Sequence, residues 1–208
     1  MEFNFEDNRI IFDRKLSELD NFVIEFAGIL DLLGIKYAIV SGYVSIVFGR
    51  SRQTEDVDII IESLSNEKFE LFWKKMLEKF ECMNTDDPHE AFADYLNEKS
   101  SLRFFIKNEP IPNIELKIVS DDDDQYTLEN SIELILNKNK LSISPIEFQI
   151  IYKMRLGSEK DLEDAKHLFN IFSTSLNRAK LIEFIRLFNI EEKPIKEYLK
   201  GLQWNCQK

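Results

Sequence analysis

Two carboxylates, Asp56 and Asp58, stand two positions apart in a run of residues typical of a β-strand. Alternate residues of a strand project from the same face, so these side chains should point together while Val57 points the other way. Two anions held this close repel each other unless a cation lies between them. Hard oxygen ligands suit Mg²⁺, which commonly takes one or two carboxylates together with substrate phosphates. The pair therefore predicts a magnesium site.

A turn of small residues and a short apolar helix precede this pair, within residues 40–61. Ser41 and Gly42 form the predicted turn at the end of a hydrophobic strand. The helix N-terminus that follows offers free backbone N–H groups and a positive dipole end to a phosphate. A phosphate-binding turn and a metal-binding strand within one short unit predict a nucleotide site.

The order and spacing of these residues resemble the signature of the DNA polymerase β-type nucleotidyltransferase superfamily. That signature is a hydrophobic strand, Gly-Gly or Gly-Ser, a short helix and Asp-hydrophobic-Asp. More narrowly, the run resembles AbiEii-like toxin nucleotidyltransferases and related minimal nucleotidyltransferases. Ser41-Gly42 stands where Gly-Gly or Gly-Ser is usual, and the bulky Tyr43 follows it. The residues that carry the resemblance are Gly42, Gly49, Arg52, Thr54, Asp56 and Asp58. The alternative for the same residues is an ordinary βαβ turn that carries surface acids.

The resemblance implies an α/β (α+β) fold, in which a mixed sheet is flanked by helices and followed by an α-helical C-terminal extension. It divides the chain into a nucleotidyltransferase core over residues 1–125 and a mainly helical region over residues 126–208. It also implies Mg²⁺ or Mn²⁺ as the cofactor. The nucleotide-binding residues by resemblance are Ser41, Gly42, Arg52, Thr54 and Lys153.

A third carboxylate comes, in this family, from a neighbouring strand that faces the Asp pair. Glu115 occupies the expected place, between apolar residues of a predicted strand. By resemblance it is a metal ligand, or the base that takes the proton of the attacking hydroxyl. Asp56, Asp58 and Glu115 thus form the predicted catalytic and metal-binding set. Lys117 is expected to reach a phosphate or to pair with Glu115. The alternative is that Glu115 and Lys117 form the solvated face of an amphipathic strand.

A capped helix is predicted further on, with Ser144 at the N-cap, Pro145 at the first helical position and Glu147 at the third. This pattern is a capping box. The helix should end at Gly157, and Ser158 should cap the helix that follows.

The charged residues of these two helices also resemble the AbiEii-like family, whose helices carry a Lys, a Gly-containing turn and a Lys-Asp-x-x-Asp run. By that resemblance Lys153 contacts the triphosphate and Asp161 organises the turn or the edge of the site. Charged residues at helix starts and on exposed faces are also common without a function, and this alternative extends to Asp164. His89 and His167 have no partner at metal-binding spacing and are expected at the surface.

Periodicity and turn residues predict the remaining elements. Residues 121–124, a run of four aspartates, are expected in a solvated loop. From residue 126 onward the chain is predicted to be mostly helical. The predicted elements are helices over 12–33, 67–80 and 87–97, strands over 36–40, 102–107 and 114–119 with a proline-containing turn between the last two, and an extended piece over 141–143.

Composition favours a soluble protein of the cytoplasm. The chain has 208 residues, 44% of them hydrophobic, and its 17 Phe predict an aromatic-rich interior. A net charge of −11 argues against non-specific attraction to nucleic acid, although a local basic patch could still bind RNA. Cys82 and Cys206 lack metal-binding spacing and suggest a reducing compartment. Neither a signal peptide nor a membrane span is expected.

The predicted reaction is the transfer of a nucleoside monophosphate from an NTP to an acceptor hydroxyl, with release of pyrophosphate. By resemblance the acceptor is an RNA 3′ end or a protein hydroxyl, with an aminoglycoside-type small molecule as a further option. The same resemblance implies the toxin of a toxin–antitoxin pair, with a cognate antitoxin as its partner. The alternative from another class is a non-catalytic nucleotide-binding or partner-interaction module on the same fold.

Overall fold

The computed structural model describes residues 3–6 and 8–202, and the chain divides into two compact units. One unit contains the residues up to Tyr43 together with Gln53–Ser144. The other contains Val44–Arg52 and the chain from Pro145 onward. Residues 126–144, which the sequence analysis assigns to the C-terminal region, belong to the first unit.

Within the described residues, nine strands of the first unit form one sheet in the order β1-β2-β8-β9-β3-β4-β7-β6-β5. The pairs β2–β8, β3–β9 and β4–β7 are parallel, and the other neighbours are antiparallel. The strands are β1 (Asn4–Glu6), β2 (Arg9–Phe12), β3 (Tyr37–Ile39), β4 (Asp56–Ile61), β5 (Phe80–Cys82), β6 (Leu102–Ile106), β7 (Glu109–Ile118), β8 (Ile132–Leu136) and β9 (Asn139–Ile143).

Helices cover the sheet and make up most of the second unit. The helices are α1 (Glu18–Leu32), α2 (Gly42–Val47), α3 (Asn66–Met76), α4 (Pro88–Glu90), α5 (Asp122–Glu129), α6 (Ile146–Leu156), α7 (Glu159–Ile171), α8 (Arg178–Leu187) and α9 (Glu192–Tyr198). A π-helical turn, Ala91–Leu96, directly continues α4. The predicted mixed sheet flanked by helices is therefore confirmed.

The two faces of the central strands differ in polarity because side chains alternate along each strand. Val57 and Ile59 of β4 are fully buried, whereas Asp56 and Asp58, which alternate with them, are only half-buried. Since the pairing of β4 with β7 is parallel and in register, the same alternation continues across both strands. One face is apolar, and the other carries acidic and amide groups.

Aromatic rings fill the space between the sheet, α1 and α3. The ring of Phe26 on α1 lies 5.3 Å from that of Phe80, 5.8 Å from that of Phe104 and 6.4 Å from that of Phe72. Edge-to-face and tilted pairs of this kind add about 0.5–1.5 kcal/mol each beyond the burial of their area. The aromatic-rich interior predicted from the Phe content is present.

A buried carboxylate, Asp20, ties the start of α1 to its surroundings. Arg14 binds both of its oxygens, at 2.6 and 2.7 Å, and the hydroxyl of Tyr43 donates to it at 2.9 Å. Ser17 and Asp20 also cap the helix reciprocally. Burial alone would raise the pKa of Asp20, but the hydrogen bonds from Arg14, Ser17 and Tyr43 outweigh it and lower that pKa.

In the second unit, the aromatic rings of Phe48 and Phe172 pack edge to face at 4.8 Å. Gly157 ends α6 with φ of 73°, a left-handed conformation that favours glycine, so the predicted stop is confirmed. Ser158 caps α7 as predicted, because its hydroxyl accepts a hydrogen bond from the backbone N–H of Asp161. These two caps fix the short turn between α6 and α7.

Part of the region predicted as mostly helical is instead the hairpin β8–β9. Asn137 and Lys138 connect its strands, with φ of 48° and 70°. A two-residue connection with both φ values positive matches the right-handed twist of paired strands. The apolar residues of β8 fit a strand period as well as a helical one, and the hairpin pairs them with β9.

Three further predictions are wrong. The turn before Glu115 is shorter than predicted, and β7 already begins at Glu109. Its prolines are tolerated there because β4 joins β7 only from Asn113 onward, so no proline N–H is needed on that side. The aspartate run is not a loop: Asp121 caps α5, and Asp124 is buried. Phe12, predicted as the first residue of a helix, is the last residue of β2, and α1 begins only at Glu18.

The capping box predicted at Ser144 does not form. The backbone N–H of Ser144 instead donates to the carbonyl oxygen of Ile39, which extends the pairing of β3 with β9. Pro145 takes the N-cap position without a side-chain hydrogen bond. Glu147 accepts a hydrogen bond from the backbone N–H of Asn177 at 2.7 Å.

Cys82 is a buried free thiol, and burial raises its pKa. Cys206 lies outside the described residues. Among the helices of the described ranges, none combines the length and the apolar character that a transmembrane segment requires.

Replacement of Asp20 by Asn should lower the free energy of unfolding by about 3–5 kcal/mol at neutral pH, because Arg14 loses its buried counter-charge. A depressed carboxylate pKa stabilises the fold above the ordinary value of 3.8, and this contribution disappears as the pH falls through the folded pKa. The difference between wild type and variant in urea unfolding should therefore narrow in acid. Glu18→Gln, on the exposed side of α1, is the matched control. A wild-type-to-variant difference in unfolding free energy that does not change with pH would contradict a lowered pKa for Asp20.

Candidate active site

The pairing of β4 with β7 brings the predicted acidic residues together. Asp56 lies in register with Asn113, and Asp58 lies in register with Glu115. Residues paired in register on parallel strands project from the same face, and the strands are about 4.8 Å apart. Asp56, Asp58 and Glu115 therefore share the polar face of the sheet.

Thr54 supports the first of these carboxylates. Its hydroxyl lies 2.9 Å from the carbonyl oxygen of Asp56 and 3.3 Å from the carboxylate oxygen Oδ1 of the same residue. A hydroxyl shared between these two atoms restrains both the entry into β4 and the Asp56 side chain. Thr54 thus acts on the orientation of Asp56.

Glu115 has donors on both carboxylate oxygens. The hydroxyl of Ser101 donates to Oε1 at 2.9 Å, and Nη2 of Arg103 donates to Oε2 at 2.8 Å. Lys117 does not pair with Glu115, as one of the predicted options had it. Its ammonium group binds Asp124 at 2.8 Å. Arg103 and Ser101 therefore hold Glu115 across the antiparallel pair β6–β7.

The turn before α2 is conformationally costly. Ser41 has φ of 60°, in the left-handed region that side chains other than glycine adopt at a cost of about 1–3 kcal/mol. The backbone N–H of the preceding residue, Val40, donates to the carbonyl oxygen of Asp58 at 3.0 Å. This hydrogen bond fixes the turn beside the acidic strand. Gly42 then begins α2.

In the second unit, Asp164 is fully buried and gathers cationic side chains. Arg52 binds it through two nitrogens, Nε and Nη2, each at 3.1 Å. Arg50 and Lys153 lie 3.4 Å from its oxygens. A planar guanidinium that meets a carboxylate in this two-pronged geometry makes a strong, directional contact. Asp164 therefore sets the position of Arg52.

Lys153 is almost fully buried, with 2% of its side chain exposed, and donates to Asp161 at 2.6 Å. The hydroxyl of Ser158 donates to the other oxygen of Asp161, also at 2.6 Å. Burial acts to raise the pKa of Asp161, but the hydrogen bonds from Lys153 and Ser158 dominate and lower that pKa. Asp161 thus links the α6–α7 turn to Lys153. The predicted role of Asp161 at the edge of the active site stays a prediction, as does the predicted contact of Lys153 with the triphosphate.

The donor set at β4 and β7 is suited to a hard divalent cation. Asp56 and Asp58 offer carboxylate oxygens, and the amide oxygen of Asn113 is buried without a hydrogen-bond partner among the described residues. In the ranges 3–6 and 8–202, no group of three or more His, Cys, Asp or Glu side chains is arranged to hold a metal. Both carboxylate oxygens of Glu115 accept hydrogen bonds, from Ser101 and Arg103, and its place in the predicted metal-binding set stays a prediction.

The two histidines differ in exposure. His89 is exposed at the start of α4. His167 is partly buried, and its Nε2 lies 3.2 Å from the carbonyl oxygen of Phe48.

Sequence reasoning missed Asn113, Ser101 and Arg103. Asn113 lies two residues before Glu115, so strand alternation could have placed both on one face. Its register with Asp56 could not be predicted from the sequence, because register depends on how β4 and β7 are aligned in the sheet. Arg103 and Ser101 become neighbours of Glu115 only through the β6–β7 pairing.

Comparisons with solved structures identify the fold. An antigenic nucleotidyltransferase-like protein from Paracoccidioides brasiliensis superposes with a TM-score of 0.57 at 21% identity, over 88% of this chain and 93% of that one. The solution structure of the antibiotic-resistance factor ANT(2'')-Ia gives a TM-score of 0.53 at 12% identity, over 88% and 97% of the two chains.

The crystal structure of ANT(2'')-Ia in complex with adenylyl-2''-tobramycin gives a TM-score of 0.54 at 13% identity, over 83% and 98% of the two chains. No protein-family model matches the sequence. No curated protein matches it at a significant level. The structural similarities confirm that the chain has the nucleotidyltransferase fold.

Replacement of Ser41 by Gly should leave the free energy of unfolding within about 1 kcal/mol of wild type, since glycine adopts the left-handed turn without strain but costs more entropy on folding. If the hydroxyl contacts a phosphate, the same variant should weaken triphosphate binding by about three- to tenfold, which corresponds to the net free energy of one hydrogen bond. Ser41→Val is the control for the backbone and should destabilise the fold. Unchanged binding in Ser41→Gly would show that the hydroxyl has no part in it.

Replacement of Asp164 by Ala should lower the free energy of unfolding by about 3–5 kcal/mol, because the cations of Arg50, Arg52 and Lys153 would lose a buried carboxylate that all three contact. Urea unfolding measures the change. Glu163→Ala is the matched control, since Glu163 lies on the same helix but is part-exposed and pairs with Lys166 at the surface. Equal losses in the two variants would contradict the central role of Asp164.

Proposed function

We propose that this protein is a metal-dependent nucleotidyltransferase, which moves a nucleoside monophosphate from an NTP to an acceptor hydroxyl and releases pyrophosphate. The observation that carries the proposal is the placement of Asp56 and Asp58 on the polar face of β4, next to the strained turn at Ser41. Both features lie in a chain with the nucleotidyltransferase fold. The hydrogen bond from the backbone N–H of Val40 to the carbonyl oxygen of Asp58 keeps this turn beside the acidic strand.

Asp56 and Asp58 would hold the divalent cations, with Mg²⁺ or Mn²⁺ as the proposed ions. When bound, the ions neutralise charge on the triphosphate and lower the pKa of the attacking hydroxyl. Thr54 keeps Asp56 in the orientation needed for this, through the hydrogen bonds to its carbonyl and carboxylate oxygens. Ser41 and Gly42 would contact the phosphates through the turn that Val40 anchors to β4.

Glu115 would orient the acceptor hydroxyl or take its proton. Its two donors, Ser101 and Arg103, hold the carboxylate in place, and Arg103 offsets its charge on a face that already carries Asp56 and Asp58. Each of its carboxylate oxygens has a second lone pair, so Glu115 can take a proton while Ser101 and Arg103 stay bound.

Arg52 and Lys153 are the proposed triphosphate contacts of the second unit. Together with Arg50 they surround the carboxylates of Asp161 and Asp164. Cationic side chains gathered in one place favour an anionic ligand for this cluster. Phosphoryl transfer depends mainly on positioning and on charge neutralisation, so such a cluster is suited to the reaction.

The proposed acceptor is an RNA 3′ end or a protein hydroxyl, and the proposed setting is a cytoplasmic toxin of the AbiEii-like type with a cognate antitoxin. A polycationic aminoglycoside is a second candidate acceptor. ANT(2'')-Ia was solved with an adenylylated aminoglycoside, and the net charge of −11 of the present chain would attract a polycation.

Incubation of the protein with each NTP, labelled at the α-phosphate, should transfer label to one of three offered acceptors: total RNA, a cell protein extract or an aminoglycoside mixture. Transfer should require Mg²⁺ or Mn²⁺, and Asp58→Asn should abolish it. The variant should stay folded, because the substitution removes an anion that repels Asp56. Glu115→Gln should slow transfer by about 10²–10⁴-fold with little change in NTP affinity. Gln125→Glu, at an exposed position of α5, is a control for a general change of charge.

The alternative class predicts a different result. A non-catalytic module would bind NTP in the presence of Mg²⁺ but would label none of the three acceptors. Wild-type turnover in both Asp56→Asn and Asp58→Asn would show that the metal assignment is wrong.

A further inference from the structure

Asn113 is a buried polar residue in the middle of the candidate site. It lies on β7 with 5% of its surface exposed, in register with Asp56 and two residues before Glu115. Its side chain therefore projects from the face that carries the candidate metal-binding carboxylates.

The orientation of the Asn113 amide is fixed by its neighbour. Both its backbone N–H and its side-chain Nδ2 donate to the carbonyl oxygen of Glu55, at 2.9 and 3.0 Å. An amide flipped by half a turn would place two oxygens against each other, so the nitrogen must face Glu55. The amide oxygen is consequently the end directed away from Glu55.

That amide oxygen has no hydrogen-bond partner within the part of the chain that the structure describes. A buried oxygen left unsatisfied costs about 1–3 kcal/mol, so a retained oxygen of this kind calls for a ligand. An amide oxygen only accepts, and a phosphate oxygen offers nothing for it to accept. Its partner must be a cation or a hydrogen-bond donor.

We propose that the amide oxygen of Asn113 is a neutral ligand of the divalent cation held by Asp56 and Asp58. This inference rests on the metal-dependent function proposed above and names a ligand that the sequence did not indicate. Carboxylate and amide oxygens are the donors that hard cations prefer. The register of Asn113 with Asp56 places such an oxygen on the neighbouring strand.

A neutral oxygen suits this position better than a carboxylate. The same face already carries the carboxylates of Asp56, Asp58 and Glu115, and Arg103 pairs with Glu115. A further carboxylate would increase the repulsion between anions whenever the cation is absent. Asn113 adds a ligand without adding charge, and its nitrogen anchors it to Glu55.

Titration with Mn²⁺ alone, followed by the loss of the electron paramagnetic resonance signal of free Mn²⁺, tests the inference without reference to turnover. Asn113→Ala should weaken Mn²⁺ binding by about tenfold or more, as loss of a metal-site partner does. Asn113→Asp should bind Mn²⁺ at least as tightly as wild type. It should also show a larger Mn²⁺-dependent rise in Tm, because the ion relieves the added repulsion.

Asn137→Ala is the matched control. The side-chain amide of Asn137 also binds backbone, since its oxygen accepts from the N–H of Arg14 and its nitrogen donates to the carbonyl oxygen of Arg14. It should lower the Tm and leave Mn²⁺ affinity unchanged. Wild-type Mn²⁺ affinity in Asn113→Ala would overturn the inference, and so would a loss of Mn²⁺ affinity in Asn113→Asp equal to that in Asn113→Ala. A raised KM for the acceptor alone would overturn it too and would assign the oxygen to a hydroxyl or amine of the acceptor.

Asp56→Asn separates this inference from the proposed function. If Asp56→Asn loses Mn²⁺ binding while Asn113→Ala retains it, only the role of Asn113 fails. If Asp56→Asn binds Mn²⁺ as wild type does, the proposed metal site itself is wrong.

Discussion

The parallel pairing of β4 with β7 is the constraint on which the candidate site depends. It places Asp56 beside Asn113 and Asp58 beside Glu115, so that polar groups from two distant segments share one face. Because side chains alternate along a strand, a slip of one residue would turn Glu115 into the apolar core and bring Leu116 to the polar face. The packing of the apolar side chains on the opposite face opposes such a slip, and the hydrophobic core thereby fixes the register of the acidic residues.

The second unit uses a different way of holding charge. Its cations are gathered around the buried Asp164, and Arg52 meets that carboxylate through two nitrogens. Arg52 belongs to the same motif as Asp56 and Asp58, yet its partner lies more than a hundred residues further along the chain. The motif is thus contiguous in sequence but is divided between two compact units, and α7 supplies the counter-ion for one of its members.

Local patterns predicted much of this arrangement. Strand alternation placed Asp56 and Asp58 on one face, and turn chemistry predicted the helix stop at Gly157 and the cap at Ser158, since each depends on a few adjacent residues. The hairpin β8–β9 was missed because its apolar residues fit a helical period as well as a strand period. What identifies the hairpin in the structure is the two-residue connection, Asn137 and Lys138, with positive φ values. Partners fixed by register, such as Asn113 opposite Asp56, could not be predicted, because register is decided by packing between segments far apart in the chain.

The strand order also has a consequence for synthesis on the ribosome. β2 lies next to β8, and β3 lies next to β9, although more than a hundred residues separate the members of each pair. A nascent chain emerging from its N-terminus therefore exposes one edge of β3 until Ile143 has left the exit tunnel. Pairings this distant in sequence close slowly, and an open edge can pair with other chains. Before β9 appears, the unpaired edge of β3 is therefore open to misassembly with other chains.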